Sequence, residues 1–207
     1  MIQNVSCCTL TFLATSMAAL LSPTGGTSPE PEKSTKPHEL ASAELAVLDA
    51  LVGPWRVTRT HFNTRGEPTT IAKGTEEITW ILDQHALQRT YTTYSDATVY
   101  RAVGTLTYNA SEKKYHGVWF DNTSTTGPGV VKGDWQPDTR TFVFTVESMA
   151  KNGAVIKHRV VERLVDEENR TSTTYLLDGS TVVKLFESQY QRSAPCPGKI
   201  RTIIDMD

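Results

Sequence analysis

The stretch Thr105 to Trp119, TLTYNASEKKYHGVW, constrains the fold more than any other part of the chain. Side chains alternate along an extended strand, so Leu106 and Tyr108 share one face of its first half, and Tyr115, Gly117 and Trp119 one face of its second. Asn109, Ala110, Ser111 and Glu112 supply turn chemistry between the halves. The segment reads as a β-hairpin. Its spacing returns further along: Tyr108, Lys113 and Tyr115 are echoed by Trp135, Arg140 and Phe142, and more loosely by Val165, Arg170 and Ser172. Lys151-Asn152-Gly153 and Asp178-Gly179 carry tight-hairpin signals as well. Successive hairpins make an antiparallel meander, and one this long must close into a barrel or split into a sandwich to protect its edges.

About ten runs read as strands: 55–62, 72–82, 86–94, 99–108, 115–121, 129–135, 141–146, 155–165, 171–177 and 181–190. Ahead of them, His38 to Val52 reads as one amphipathic helix with Leu45, Leu48, Leu51 and Val52 on its apolar side, stopped by Gly53-Pro54. Its apolar side is suited to covering one barrel mouth. Residues 1–22 are apolar and read as a possible signal peptide, although no Lys or Arg precedes the apolar run. Residues 23–37 form a polar, Pro-containing tether, 38–192 the helix-plus-barrel domain, and 193–207 an irregular tail. The expected location is therefore exported, periplasmic or extracellular; a leader that is not a signal leaves the protein cytoplasmic.

A formal net charge of -2 without a basic cluster argues against nucleic acid as a partner. The barrel region holds no apolar run long enough to cross a bilayer as a helix, so no integral membrane domain is expected. Cys7 and Cys8 fall in the leader and Cys196 in the tail, which leaves no internal disulfide once the leader is removed. No CxxC or HxxxH spacing marks a zinc site and no Gly-x-Ser-x-Gly marks a nucleophile elbow, so neither a metal, a cofactor nor a catalytic residue is expected. A haem would need an inward axial histidine, for which His61 and His158 are the strand candidates.

Leu51-Val52-Gly53-Pro54-Trp55, then Tyr108 through Lys113-Lys114-Tyr115, then Gly117-Val118-Trp119-Phe120-Asp121 with Ser124 behind it, and finally Gly133 form an order of motifs that resembles the DUF1579 family. These are bacterial proteins of unknown function with a lipocalin-like, calycin-type barrel. The resemblance spans roughly residues 48–192. Gly53, Pro54 and Trp55 also resemble the lipocalin Gly-x-Trp motif, whose Trp packs across the closed barrel end. What the resemblance implies is an all-β, up-and-down barrel with an internal cavity, and no reaction.

In such a barrel, if Trp55, Trp80, Leu106, Tyr108, Tyr115, Trp119 and Trp135 point inward, then Arg59, His61, Tyr91, Tyr100, Asp121 and Val131 share their faces. That interior suits a small apolar or amphiphilic molecule, with Trp55, Trp80, Tyr108 and Trp119 lining or flooring the cavity and Arg59 or Arg89 gripping a polar head. The blander reading puts each arginine at a rim or in a pair with Asp121 or Glu187. Asp121 would serve either as a cavity carboxylate or as an acceptor for loop amides. An isomerase or hydrolase using Asp121 with His61, and an interaction module with a side-chain-filled barrel, are the competing functions. Glu76-Glu77, Lys113-Lys114 and Glu167-Glu168 read as solvated pairs at strand starts and turns.

Overall fold

The computed structural model describes residues 43–193, Ala97 excepted. The expected leader, tether, first helical turn and the tail beyond Ser193 lie outside the described residues. Alternation and turn signals together yield ten antiparallel strands: β1 (Gly53–Phe62), β2 (Pro68–Ile81), β3 (Ala86–Tyr94), β4 (Val99–Asn109), β5 (Lys114–Asp121), β6 (Gly129–Gln136), β7 (Thr141–Met149), β8 (Val155–Leu164), β9 (Asn169–Asp178) and β10 (Thr181–Arg192). Each pairs with its sequence neighbour, and β1 pairs with β10 from Trp55↔Arg192 to His61↔Phe186, which closes the barrel. Closure leaves no edge strand open to another chain. β2 starts earlier than its apolar pattern because Pro68 to Ile71 pair with β1 while remaining exposed, so no buried face marks them.

The repeated aromatic spacing has a structural cause. Tyr108 and Tyr115 flank the β4–β5 turn, Trp135 and Phe142 the β6–β7 turn, and the four rings pack together at one barrel end. Ring centroids are 5.2 Å apart for Tyr108–Tyr115, 5.2 Å for Tyr115–Phe142 and 4.5 Å for Trp135–Phe142. The residue five positions after each leading aromatic, Lys113 or Arg140, takes a left-handed conformation that closes its turn (φ 54° and 51°).

The expected long helix is shorter in its described part. Only Ala43–Val47 is α-helical (α1); Leu48–Leu51 tightens into a 3-10 turn, as helix ends commonly do where the chain must swing directly into a strand. Its role is as expected, for Leu48 and Leu51 are fully buried in the barrel core. Polar groups seal the joint. The Trp55 indole N–H donates to the Leu51 carbonyl (2.8 Å), Trp80 Nε1 to Asp49 Oδ1 (2.8 Å), Tyr115 Oη to the Glu44 carbonyl (2.8 Å), and Arg192 to the carbonyls of Val52 (2.5 Å) and Ala50 (3.1 Å). Burial and the nearby Glu44 push the Tyr115 hydroxyl up to about 12, so it stays a donor. Among the described residues no helix is long and apolar enough to cross a membrane.

Candidate functional site

Above this packed end, four charged side chains from opposite walls meet inside the barrel. Arg89 Nε donates to Glu76 Oε1 at 2.8 Å and its terminal nitrogens to both oxygens of Glu162 at 3.0 and 3.4 Å. Arg170 binds the remaining oxygen of Glu76 and Oε1 of Glu162, closing the ring. The Arg170 guanidinium also stacks on Tyr190 (3.7 Å to the centroid) and on Trp55 (4.7 Å). Burial alone would raise the Glu76 carboxyl, but the Arg89 and Arg170 charges overcome it and hold the group at about 2. The same carboxylates keep both arginines firmly charged against the desolvation that opposes it. Two cations and two anions cancel, so the ring is a neutral floor.

This arrangement corrects two expectations. Glu76 is not a solvated partner of Glu77: it lies on the inward phase of β2 with Ala72, Ile78 and Trp80, 1% exposed, while Glu77 faces solvent. Arg89 pairs with Glu76 and Glu162, not with Asp121 or Glu187. Glu162 and Arg170 went unrecognised in the sequence. On β9 the inward face carries Arg170, Ser172 and Thr174, so apolar alternation gives no phase there; on β8 Ile156, Val160 and Leu164 share the phase of Glu162, and only its charge sets it apart.

Over the floor lies a cavity of about 370 Å³, reaching from Glu162 and Tyr190 to the rim loop at Thr123 and Ser124. The barrel is thus filled in one half and hollow in the other. Arg59, Arg89, Trp119 and Asp121 line the hollow half. Trp55, Trp80 and Tyr108 lie outside its wall, in the packing at and below the floor. His61 stands beside the cavity, its ring 5.8 Å from that of Phe186. Burial and the Arg59 charge lower the His61 pKa, and burial lowers that of His158 on β8, so both rings are neutral near neutral pH.

Arg59 is held in an aromatic cage: its guanidinium lies 4.2 Å from the Phe186 centroid, 4.6 Å from Tyr91 and 5.1 Å from Tyr100. Its Nε reaches Ser188 Oγ at 3.4 Å, and among the described residues it forms no ion pair. Asp121 does what short acidic side chains do at strand ends. Its Oδ1 accepts from the backbone N–H groups of Thr123 (2.8 Å) and Ser124 (2.9 Å) and from the Thr123 hydroxyl (2.5 Å). His61 and Asp121 share no hydrogen bond or ion pair.

Trp119 forms the wall opposite. Its indole donates to Tyr100 Oη (3.0 Å) and its ring rests on Gly104, where a Cβ would overlap it. Gly104→Ala should therefore tilt the indole into the cavity, break the Tyr100 bond and cost about 1–3 kcal/mol by overpacking. A changed near-ultraviolet tryptophan signal together with a lowered urea midpoint checks this; an unchanged spectrum would mean the ring rides elsewhere.

The fold and cavity define the class: a closed, up-and-down antiparallel barrel, plugged at one end and hollow toward the other. Within that class the chain belongs to the family described as protein of unknown function (DUF1579), which matches residues 41–192. Among solved structures it is similar to the S-type phycobiliprotein lyase CPES from Guillardia theta, at 13% identity over 75% of this chain and 96% of that one, with a TM-score of 0.53. It is more distantly similar to EF1p2_mFAP2b, solved bound to DFHBI, at 10% identity over 72% and 98% of the two chains and a TM-score of 0.40. At these identities the lyase likeness speaks for the fold alone. No curated protein matches the chain.

Proposed function

We propose that the barrel binds a small, largely apolar molecule carrying an anionic head, and that Arg59 holds the head. The observation that carries this reading is Arg59 itself: 7% exposed, caged by rings, and in no ion pair among the described residues. A buried cation persists only where something offsets its lost hydration. The three rings and Ser188 supply part of that offset without neutralising the charge. The guanidinium keeps its forked donors for a carboxylate, sulfonate or phosphate, which it grips bidentately. Arg89 is the contrast, because each of its three guanidinium nitrogens is already engaged by Glu76 or Glu162. The apolar body of the ligand would lie against Trp119, Val131, Phe144, Val146 and Val160. A volume near 370 Å³ lies within the range of small-molecule sites, about 300–1,000 Å³.

The test is a fluorescence titration of the full chain with anilinonaphthalene sulfonate, an apolar anion. Replacing Arg59 by Met keeps the stem against the rings and removes the charge. Losing a charge-assisted pair should weaken the dye about 10- to 100-fold. Asp121→Asn should leave binding intact or tighten it a few-fold, roughly what removing a nearby like charge allows. Equal dye affinity in wild type and Arg59→Met, with both folded, would refute the assignment.

A further inference from the structure

The cavity wall has two chemically different sides. β3, β4 and β5 contribute the rings of Tyr91, Tyr100 and Trp119; on the far side, β9 and β10 contribute the hydroxyls of Ser172, Thr174 and Ser188 beside the rings of Phe186 and Tyr190. The strand register explains why those hydroxyls act together. Arg59 is paired with Ser188, Ser188 with Ser172, and Ser172 with Glu162. Directly opposed residues share a sheet face, so these four side chains form one polar stripe across β1, β10, β9 and β8. Thr174 stands two residues from Ser172 on the same face, nearer the rim.

The two ends of the stripe are engaged differently. Glu162 is fully occupied by Arg89 and Arg170, and Ser188 accepts from Arg59. Ser172 and Thr174 are 8% and 6% exposed, line the cavity, and among the described residues their hydroxyls make no hydrogen bond. Both hydroxyls face the cavity, where an entering ligand can pair them. Each offers one donor and two acceptor sites.

From this asymmetry we infer that the ligand is a flat, conjugated acid with hydrogen-bonding groups along one edge. The inference rests on Arg59 as the seat of the anion. The acid group sits at Arg59, the ring face lies against Trp119, and the polar edge meets Ser172 and Thr174. A ring satisfies the aromatic side by stacking and edge-to-face contact, as an alkyl chain does not. An alkyl chain would also leave both hydroxyls unpaired, and sites built to pair a substrate hydroxyl discriminate strongly against analogues that lack it.

Three carboxylates separate the possibilities when titrated against the full chain by calorimetry: decanoate, naphthoate and the set of hydroxynaphthoate isomers. The expected order is decanoate weakest, naphthoate intermediate, and at least one hydroxynaphthoate about tenfold tighter than naphthoate. The paired change Ser172→Ala with Thr174→Val is nearly isosteric; it should erase the hydroxyl advantage, so that no hydroxynaphthoate binds tighter than naphthoate. Decanoate binding as tightly as the aromatic acids, or a hydroxyl advantage that survives the paired change, overturns the inference. Either result leaves the Arg59 reading standing, provided the sulfonate dye still depends on Arg59. If neither the carboxylates nor the dye binds, both fall together.

Discussion

Arg170→Met is expected to destabilise the barrel by about 3–5 kcal/mol, the cost of leaving buried charges unpaired. Met fills much of the space between Trp55 and Tyr190, so the loss is electrostatic before it is steric. What remains is Glu76, Glu162 and Arg89: two carboxylates against one guanidinium, at most about an eighth exposed. One carboxyl must then take up a proton or draw in water, and either weakens the closed ring. Against a total stability of about 5–15 kcal/mol, such a change is conspicuous in urea unfolding. Replacing all four members together by apolar residues of similar volume should cost far less than the single change, because no orphan charge is left. If Arg170→Met shifts stability by less than about 1 kcal/mol, the four charges are not a cohesive unit.

The same ring should make the fold sensitive to acid. The Glu76 carboxyl is depressed in the folded barrel from 4.5 to about 2, which corresponds to roughly 3 kcal/mol of folding free energy. Because the folded value is the lower one, this stabilisation is complete above pH 4.5 and disappears as pH falls toward 2. Arg170→Met should remove much of that slope, since the charge that depresses Glu76 is then halved. Equal acid sensitivity in the two proteins would place the titrating group elsewhere.

How far the sequence could be read follows from where apolar alternation exists. All ten strands carry it, or turn chemistry at their ends, and the inward phase of Trp55, Arg59, Tyr91, Tyr100 and Trp119 comes directly from it. Glu76 was legible by the same logic: Ala72, Glu76, Ile78 and Trp80 are in phase, and only its neighbour Glu77 made it resemble a surface pair. Glu162 was legible in the same way, in phase with Ile156, Val160 and Leu164 on β8, whereas Arg170 was not. On β9 the inward residues are Arg170, Ser172, Thr174 and Leu176, and nothing in that composition separates inside from outside. Only closure of the barrel, which puts β9 within reach of β2, tells Arg170 that its partners are buried carboxylates. The hydroxyl side of the cavity is hidden for the same reason, since Ser and Thr are ordinary on either face of a strand.

Leu51→Ala tests the other half of the molecule, and the expected loss is about 2–5 kcal/mol. Leu51 is fully buried where the 3-10 turn meets the barrel, under Trp55, so its removal opens a cavity that the closed strands cannot collapse to fill. Trp55→Phe provides the comparison. It keeps a ring in place but deletes the indole bond to the Leu51 carbonyl, a loss of about 1 kcal/mol for the bond itself. If packing seals this end, Leu51→Ala is the more damaging of the two in urea unfolding; the reverse order would make the hydrogen-bonded latch the principal seal. The two changes also separate support from binding. Both act below the charged floor, whereas Arg59, Ser172 and Thr174 stand above it. Affinity for the sulfonate dye, measured where each variant is still folded, should therefore match wild type. A dye affinity that falls with Leu51→Ala in the folded protein would show that the floor does not insulate the cavity from the plug, and that ligand and helix compete for the arrangement of the same four charges.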